Sequence, residues 1–382
     1  MGVYADYAAT TPVKPEVVDK MMTVYQTHFG NPSSIHSQGR DARSLLDASR
    51  RTVVNYLNAQ PNEVVFTSGA TESNNTIIKG IAYANQYKGK HLITTKIEHH
   101  SVLHVFEYLE QQGFEVTYLD VTPEGLVDIE QLRKSLREDT TLVSIMFVNN
   151  EVGTVQHVYD IQQVLAPYQA YFHMDAVQAV GHLPIDVEDL KVDALSMTAH
   201  KFGGPKGVGV LYIKNGTRVT FSQLGGEQET KRRAGTENLA QIVGLAEALK
   251  IAESSRDDNN VHLAQLREQL LVALQDRAIP FEYNGSMIDS TNHIINLYFP
   301  FIDVETLLTL LDLAGIYVSS GSACTAGSTI PSHVLLAMFG ENSPRVNQSV
   351  RISINEQLTA RDMQLIATEI QKIYLKFKEE NT

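Results

Sequence analysis

The first candidate for chemistry in the sequence is a thiol. Cys324 is the only cysteine among 382 residues, and its neighbours within residues 319–328 are all glycine, alanine, serine or threonine. A lone cysteine is commonly a small apolar packing residue, but this run supplies no apolar wall for a sulfur to pack against. The composition therefore indicates a mobile loop that presents a thiol for reaction, since a thiolate is a strong nucleophile.

An amine and a carboxylate form the second candidate. Lys201 lies in the glycine-rich residues 198–207, directly after an apolar run typical of a strand, and Asp175 ends another such run. Open α/β sheets bind ligands beyond the carboxyl ends of their strands. Taken singly, Lys201 has the alternative of a surface charge and Asp175 that of a helix cap. Together they supply an amine for a Schiff base and a carboxylate for a pyridinium nitrogen, the pair that pyridoxal phosphate requires.

A turn at residues 67–72 could hold the phosphate of such a cofactor. This Thr-Ser-Gly-Ala-Thr-Glu segment leaves a predicted strand through a glycine and enters a helix. Backbone N–H groups near Ala70, the hydroxyl of Thr71 and the helix dipole would converge on an anion there. Hydroxyl residues also cap helices that bind nothing. The glycines of residues 203–209 precede a strand, whereas a dinucleotide-binding fingerprint opens a helix.

Histidines follow another predicted strand. His100 and His104 have the helical i, i+4 spacing of some metal ligands, but Ser101 stands where the zinc-protease pattern requires glutamate, and no metal site is predicted. His99, at the junction of strand and helix, could lie over a flat cofactor ring and move protons. A core or capping role remains the alternative for each histidine.

The elements that must position these residues follow from seven short apolar runs, separated by segments with helical spacing. The runs are residues 64–67, 91–95, 116–119, 142–147, 170–174, 194–197 and 208–213. Their alternation with helices predicts an α/β fold with a seven-stranded, mostly parallel sheet. Residues 72–87 are the predicted helix between the first two strands.

The pattern changes after residue 254, where the polar residues 254–260 predict a break in the chain. Later elements suggest a smaller α+β domain; they are a helix over 262–276, strands over 294–299 and 350–354, and a final helix capped by Thr359 and Asp362. We predict a large cofactor-binding domain over residues 15–255 and a small domain formed by residues 1–14 and 256–382.

Composition limits the function classes. The net charge of -13 disfavours a general nucleic-acid binder, and the basic residues 231–233 fit a solvated turn or a local anion contact better than a groove. One cysteine cannot form an internal disulfide, and no apolar run has the roughly 18 residues that a membrane span needs. With no signal-peptide pattern at the N-terminus, these features lead us to expect a cytoplasmic protein without a membrane partner.

Seven motifs in order give the sequence a family resemblance. They are residues 4–12, 30–34, 68–72, 149–153, 200–201 and 233–238, and the loop around Cys324. With them the chain resembles cysteine desulfurases of the NifS/IscS group, which are pyridoxal-phosphate enzymes of the class V aminotransferase superfamily. The resemblance covers nearly the whole chain and implies the type I fold of pyridoxal-phosphate-dependent transferases and a homodimer.

The resemblance also implies roles for single residues. Lys201 would hold the cofactor, Asp175 would pair with its ring nitrogen, Gln178 would contact its ring oxygen and His99 would stack on the ring. The groups implied for the phosphate are Ala70, Thr71, Thr198, His200 and, from the other subunit, Thr236. The groups implied for the substrate carboxylate are Asn150 and Arg351, the latter through bidentate geometry.

The implied reaction converts L-cysteine to L-alanine and leaves a persulfide on Cys324. The loop resembles the longer form of the group, which makes a tRNA-thiolation enzyme or an iron-sulfur scaffold a plausible sulfur acceptor. Because the chain has no second cysteine, the persulfide cannot be discharged as an intrachain disulfide. Two alternatives stay open: a related aminotransferase or lyase acting on another amino acid, and a non-catalytic sulfur-trafficking scaffold.

Overall fold

The structure is a computed structural model that describes residues 2–321 and 331–380. Cys324 and residues 322–328 of the loop predicted around it lie outside these residues. In the described part of the chain, no helix is both long and apolar enough to cross a membrane.

Twelve strands are found in the described residues. In chain order, β1 to β12 are Val3–Tyr4, Val64–Thr67, His91–Thr95, Glu115–Leu119, Thr140–Ser144, Tyr171–Asp175, Ala194–Thr198, Gly209–Ile213, Glu282–Asn284, Ile294–Tyr298, Ile316–Tyr317 and Ser349–Ser353.

The described residues also form twelve α-helices. In chain order, α1 to α12 are Pro15–Thr27, Ser37–Leu57, Ala70–Asn85, His100–Gln111, Ile129–Ser135, Val158–Leu165, Val187–Leu190, Gln228–Lys231, Leu239–Asp276, Val304–Leu313, His333–Phe339 and Ala360–Glu380. Short 3₁₀ turns occur at Pro61–Glu63, Ala199–Lys201 and Pro344–Val346.

The central sheet confirms the predicted α/β class. Its strand order is β2-β8-β7-β6-β5-β3-β4, and only β8 runs antiparallel to its neighbours. The predicted bounds of β2 and β3 match those observed, and the other five differ by one to three residues. Because β2, β3, β5, β6 and β7 are parallel, their carboxyl ends meet at one edge of the sheet. That edge receives the candidate residues.

Helix α3 connects β2 to β3 and is packed onto the sheet by an apolar stripe. Ile77, Ile78 and Ile81 have no exposed surface, and burial of each contributes about 2 kcal/mol to folding. The helix is preceded by its N-cap Gly69, whose φ of 150° is a conformation that favours glycine. Gly209 on β8 lies against this turn, where a Cβ would be 2.7 Å from the Gly69 Cα. The turn at the end of β2 is therefore fixed by two glycines.

The predicted break at residues 254–260 is wrong, because this segment lies inside the continuous helix α9. The segment contains neither glycine nor proline, and its polar groups are satisfied without leaving the helix. Ser255 donates to the Ile251 carbonyl at 2.8 Å, and Asn260 donates to the His182 carbonyl at 2.7 Å. Polarity here marks a solvated stretch of helix rather than its end.

Two large apolar clusters include different parts of helix α9. One lies against the central sheet and includes α9 up to Ala252, whereas the other begins at Leu263 and surrounds the antiparallel sheet β12-β10-β9. Helix α12 belongs to the second cluster through Met363, Ile366 and their neighbours at helical spacing. The division into domains at residue 255 stays a prediction, with which this distribution of contacts agrees.

One histidine is buried in the middle of the central sheet. His173 on β6 has no exposed surface, and its ring contacts the hydroxyls of Ser144 at 2.8 Å and Ser196 at 3.1 Å. Burial lowers the pKa of His173 to about 3, so the folded chain keeps this imidazole neutral where the unfolded chain protonates it. Stability supplied by the neutral ring is therefore present above pH 6.5 and is lost as the pH falls below that value.

We predict that His173→Asn reduces the pH dependence of folding. The variant is less stable at neutral pH, but between pH 7 and pH 5 its free energy of unfolding should fall by about 2 kcal/mol less than that of the wild type. Denaturant unfolding at the two pH values measures this difference. The same change at the exposed His36 is the control, and an equal pH dependence in the wild type and His173→Asn would contradict the prediction.

Candidate active site

A cavity of about 430 Å³ opens at the carboxyl edge of the central sheet. Ten of the residues that the sequence singled out line it, namely Ala70, Thr71, His99, Asn150, Asp175, Gln178, Thr198, His200, Lys201 and Arg351. Thr236 does not line this cavity, and Cys324 lies outside the described residues. The structure thus brings these ten residues together, while their individual roles stay predictions.

Lys201 reaches the cavity at the end of the 3₁₀ turn that follows β7. Its Nζ donates to the carbonyl oxygens of Ala8 at 2.6 Å and Ala9 at 2.7 Å. The N-terminal segment therefore contacts Lys201 and orients its amine. Beyond the motif over residues 4–12, this contact could not be predicted from the sequence, because backbone carbonyls carry no residue-specific signal.

The carboxylate of Asp175 begins a chain of hydrogen bonds at the end of β6. Asn74 on α3 donates from Nδ2 to Asp175 Oδ2 and to Ser101 Oγ, both at 2.9 Å. Ser101 Oγ lies 2.8 Å from His99 Nδ1, and the Ser101 backbone N–H also donates to that nitrogen at 3.1 Å. Since Nδ1 accepts these bonds, the neutral ring of His99 carries its proton on Nε2. The sequence analysis missed Asn74, although it lies one helical turn beyond Thr71.

Burial shifts both ends of this chain toward neutrality. The pKa of Asp175 is raised, first by burial, against the lowering effects of the Val177 N–H, Asn74 and the charge of Lys201. The pKa of His99 is lowered to about 4, again first by burial and then by the positive charges of Lys201 and His100. A buried carboxylate is stabilised in its ionised form by a cationic partner, and this one faces a cavity. A protonated ring nitrogen is such a partner.

Another group of residues that line the cavity is suited to an anion. The first turn of the 16-residue helix α3 lines it, and the N-cap Gly69 provides no side chain to take up the backbone N–H groups. The hydroxyls of Thr71 and Thr198 and the ring of His200 line the same space. Because His200 Nδ1 lies 3.2 Å from the Thr10 hydroxyl, its Nε2 remains for another contact. Backbone N–H groups, two hydroxyls and an imidazole ring thus face the same part of the cavity, as the binding of a phosphate requires.

Arg351 on β12 reaches the cavity from the second apolar cluster. It is 1% exposed, donates to the Asn150 carbonyl at 2.9 Å and forms an ion pair with Asp6 at 2.8 Å. The Arg351 Nε–H is buried and has no partner among the described residues. An unpartnered guanidinium N–H beside a cavity suits a carboxylate ligand. The sequence analysis missed Asp6, which lies 345 positions away in the chain.

Gln178 follows β6 and lies at the boundary between the two clusters. Its Nε2 donates to the Ala8 carbonyl at 3.0 Å, and its Oε1 lies 3.2 Å from His293 Nε2. His293 immediately precedes β10 of the antiparallel sheet. The amide is therefore held between the N-terminal segment and the second cluster.

Thr236 is exposed and borders a separate cavity of about 210 Å³, which shares Ser68 and Gly207 with the main cavity. Its loop is anchored by the buried Glu229, which accepts from Arg50 at 2.7 Å and from the Phe66 N–H at 3.0 Å. The structure therefore leaves the Thr236 hydroxyl on the surface, beside but outside the main cavity of its own chain.

The described ends of the segment that contains Cys324 lie on the Arg351 side of the cavity. Ser319 exchanges two backbone hydrogen bonds with Arg351, at 2.7 and 3.2 Å. Gly321 packs against the buried carboxylate of Glu151, and Ser332 donates to the same carboxylate. Cys324 comes three residues after Gly321 in the sequence.

The histidines near the cavity do not form a metal centre. The rings of His100 and His104 stack with centroids 5.0 Å apart, and His333 lies 4.6 Å from His100. Within residues 2–321 and 331–380, no group of three or more histidine, cysteine, aspartate or glutamate side chains is arranged to hold a metal ion. The donor set fits pyridoxal phosphate instead: an amine, a buried carboxylate and a helix N-terminus face one cavity.

Comparisons with known proteins agree with this fit. The aminotransferase class-V family matches residues 3–366. Cysteine desulfurase IscS of Methanosarcina thermophila is 46% identical over 99% of this chain and 93% of that protein. Cysteine desulfurase IscS of Clostridium botulinum is 45% identical over 99% and 95%.

A solved structure of a NifS-like protein superposes with a TM-score of 0.92 at 37% identity, covering 98% of this chain and 99% of that one. The fold, the cavity and the match over nearly the whole chain lead to one assignment. The chain belongs to the class-V aminotransferase family, and within it to the pyridoxal-phosphate-dependent enzymes of the NifS/IscS cysteine desulfurase group.

Proposed function

We propose that the chain converts L-cysteine to L-alanine and transfers the substrate sulfur to Cys324. The observation that carries this proposal is the buried Arg351 Nε–H, which has no partner in the described part of the chain and lines the same cavity as Lys201. An amino acid whose carboxylate bound Arg351 would place its amine and its Cα in the cavity that Lys201 also lines. The names of the relatives point to cysteine as that amino acid.

The residues that line this cavity would hold the cofactor. Lys201 would bind it covalently through its amine, Asp175 would pair with its ring nitrogen, and His99 would stack on its ring. Around the phosphate we place the first turn of α3 with Ala70 and Thr71, together with Thr198 and His200. Bound pyridoxal phosphate supplies an electron sink that lets the Cα proton of an amino acid leave.

The chain's own groups then handle the substrate and its protons. Arg351 and Asn150 bind the carboxylate and fix the Cα near Lys201. The neutral amine of Lys201 would accept the Cα proton. His99 is neutral at pH 7 because burial lowers its pKa to about 4, and it keeps its own proton on Nε2. A neutral His99 adds no positive charge to the cavity that Lys201 and Arg351 also line.

Cys324 completes the reaction as the nucleophile. Its thiolate attacks the substrate sulfur, an S–S bond forms, the Cβ–S bond breaks, and the electron pair left on carbon takes up a proton to give alanine. L-cysteine and the thiol thus become L-alanine and a persulfide, without an external oxidant or reductant. The contacts of Ser319 and Gly321 at the Arg351 side of the cavity support delivery of the thiol to this place.

The proposal extends to a homodimer and to a sulfur acceptor. Thr236 is exposed beside, not inside, the main cavity, which is consistent with a hydroxyl that serves the phosphate of a second copy. With one cysteine in the chain, the sulfur leaves Cys324 for another molecule. We propose that a cytoplasmic protein of tRNA thiolation or of iron-sulfur cluster assembly receives it.

The central prediction concerns the products. With L-cysteine the holoenzyme should form alanine and, with a reducing thiol present, an equal amount of sulfide. Cys324→Ala should keep the visible absorbance of the bound cofactor and lose both products, because only the nucleophile is removed. Lys201→Ala should lose the absorbance of the lysine-bound form. Amino-acid analysis, sulfide assay and absorbance spectra measure these outcomes.

The alternatives give different results in the same experiment. An aminotransferase or lyase acting on another amino acid would form no alanine above background from L-cysteine. A non-catalytic scaffold would show no absorbance that borohydride reduction removes. Alanine and sulfide formed from L-cysteine by the Cys324→Ala variant at the wild-type rate would contradict the assignment of the nucleophile.

A second prediction tests the shared site. Thr236→Glu would set a carboxylate against the phosphate, and Lys201→Ala removes the amine, so neither variant should be active alone. After subunit exchange, half of the dimers are mixed and each has one intact site, so activity should recover to about a quarter of the wild-type value. Copurification with two different tags verifies the exchange. Exchanged dimers without activity would show that Thr236 does not serve the partner's site.

A third prediction concerns Asn74. Asn74→Ala removes a donor from the buried Asp175 carboxylate, and the dissociation constant of pyridoxal phosphate should rise about tenfold. Titration of the apoprotein measures it. Asn75→Ala is the matched control on the same helix, because Asn75 contacts only the Thr71 carbonyl among the hydrogen bonds observed. Equal affinities in the two variants would exclude this function of Asn74.

A further inference from the structure

The contacts of Gln178 determine which way its amide points. Gln178 is 5% exposed, and one end of the amide lies 3.0 Å from the Ala8 carbonyl oxygen. A carbonyl oxygen only accepts hydrogen bonds, so the amide nitrogen must face Ala8. The amide oxygen therefore faces His293. The reversed amide would bring two oxygens together in a buried place.

This orientation fixes the proton of His293. The amide oxygen accepts only, so His293 Nε2, at 3.2 Å, must be the donor. The ring is 3% exposed, and its Nδ1 has no partner in the described residues. A second proton would bury an unpaired N–H, and the pKa of His293 is lowered well below 6.5 by burial and by His182, Arg351 and Lys201. His293 is thus a neutral ring with its proton on Nε2.

The ring is held firmly enough to act as a fixed donor. The ring of His182 stacks on it with centroids 3.6 Å apart and an angle of 2° between the planes. The His293 carbonyl accepts the Ile354 N–H at 2.9 Å, which ties this residue to the end of β12. His293 is therefore placed by the antiparallel sheet, whereas Gln178 follows a strand of the central sheet.

The amide nitrogen of Gln178 has two hydrogens, and Ala8 takes one of them. The second hydrogen is available to a ligand in the cavity that Gln178 lines. We propose that His293 is a positioning residue, which holds the Gln178 amide so that its second N–H, rather than its oxygen, is presented to the phenolic oxygen of bound pyridoxal phosphate. This inference deepens the proposed function, because it relies on the contact of Gln178 with that oxygen.

The inference predicts a shift in a spectroscopic titration. The visible absorbance of lysine-bound pyridoxal phosphate changes with pH, and a donor to the phenolic oxygen stabilises the deprotonated, more negative form. His293→Leu leaves the amide without its fixed donor, so the midpoint of this change should move to higher pH by about one unit. His293→Gln restores an N–H at the same reach and should return the midpoint toward that of the wild type.

A double-mutant cycle tests whether His293 acts through Gln178. Gln178→Met should raise the midpoint as His293→Leu does, and the double variant should show no further rise. A wild-type midpoint in His293→Leu, or a His293→Leu shift that persists in the Gln178→Met background, would overturn the inference. If His293→Leu does not fold, His293→Asn replaces it, because its shorter amide cannot reach Gln178 and the same rise is expected.

His182→Leu is the control for packing. The variant disturbs the same ring stack and should lower stability. It removes no hydrogen bond to Gln178, so the midpoint of the titration should not change. A shift equal to that of His293→Leu would assign the effect to packing and overturn the inference. Alanine formation is measured in parallel. If the wild type forms no alanine but the His293 variants shift the midpoint, only the proposed reaction is refuted. If the wild type forms alanine but the His293 variants do not shift the midpoint, only the positioning role is refuted.

Discussion

The site depends on one carboxylate that the fold removes from water. Asp175 ends the central strand β6, and burial raises its pKa, so an ionised Asp175 must be stabilised by its surroundings. Hydrogen bonds from Asn74 and from the Val177 N–H and the charge of Lys201 offset part of the cost. A cationic ring nitrogen would offset the rest. The same buried geometry thus orders the neighbouring side chains and selects the kind of cofactor.

Neutral histidines are the second consequence of this environment. Burial lowers the pKa of His99 and of His200 to about 4, and it lowers the pKa of His293 well below its usual range, in a region that also contains Lys201 and Arg351. His99 and His293 therefore act through a fixed tautomer rather than through charge. Arg351 is paired with Asp6 and the charge of Lys201 acts on Asp175, so each of these two cations has a carboxylate nearby in the region where an anionic substrate and a phosphate would bind.

Features of the fold that depend on short-range sequence pattern could be predicted from the sequence alone. The strands over 64–67 and 91–95 were predicted with their observed bounds, because apolar runs and flanking turns are local features. The break at residues 254–260 was wrong because helix α9 is stabilised on both sides of the segment by packing that the local polarity does not reveal. Asn74 escaped prediction because its partners come from β6 and α4, and only the folded chain brings them together.

The cavity requires both apolar clusters at once. Lys201, Asp175 and the first turn of α3 come from the central sheet, whereas Arg351 comes from the antiparallel sheet, and the N-terminal segment contacts both sides. A change in the relative position of the clusters would move Arg351 away from Lys201. The hydrogen bond between Gln178 and His293 lies at this junction, together with the Ala8 carbonyl that Gln178 shares with Lys201. Polar contacts between the clusters therefore set the geometry of the chemistry, and apolar packing within each cluster gives those contacts a rigid base.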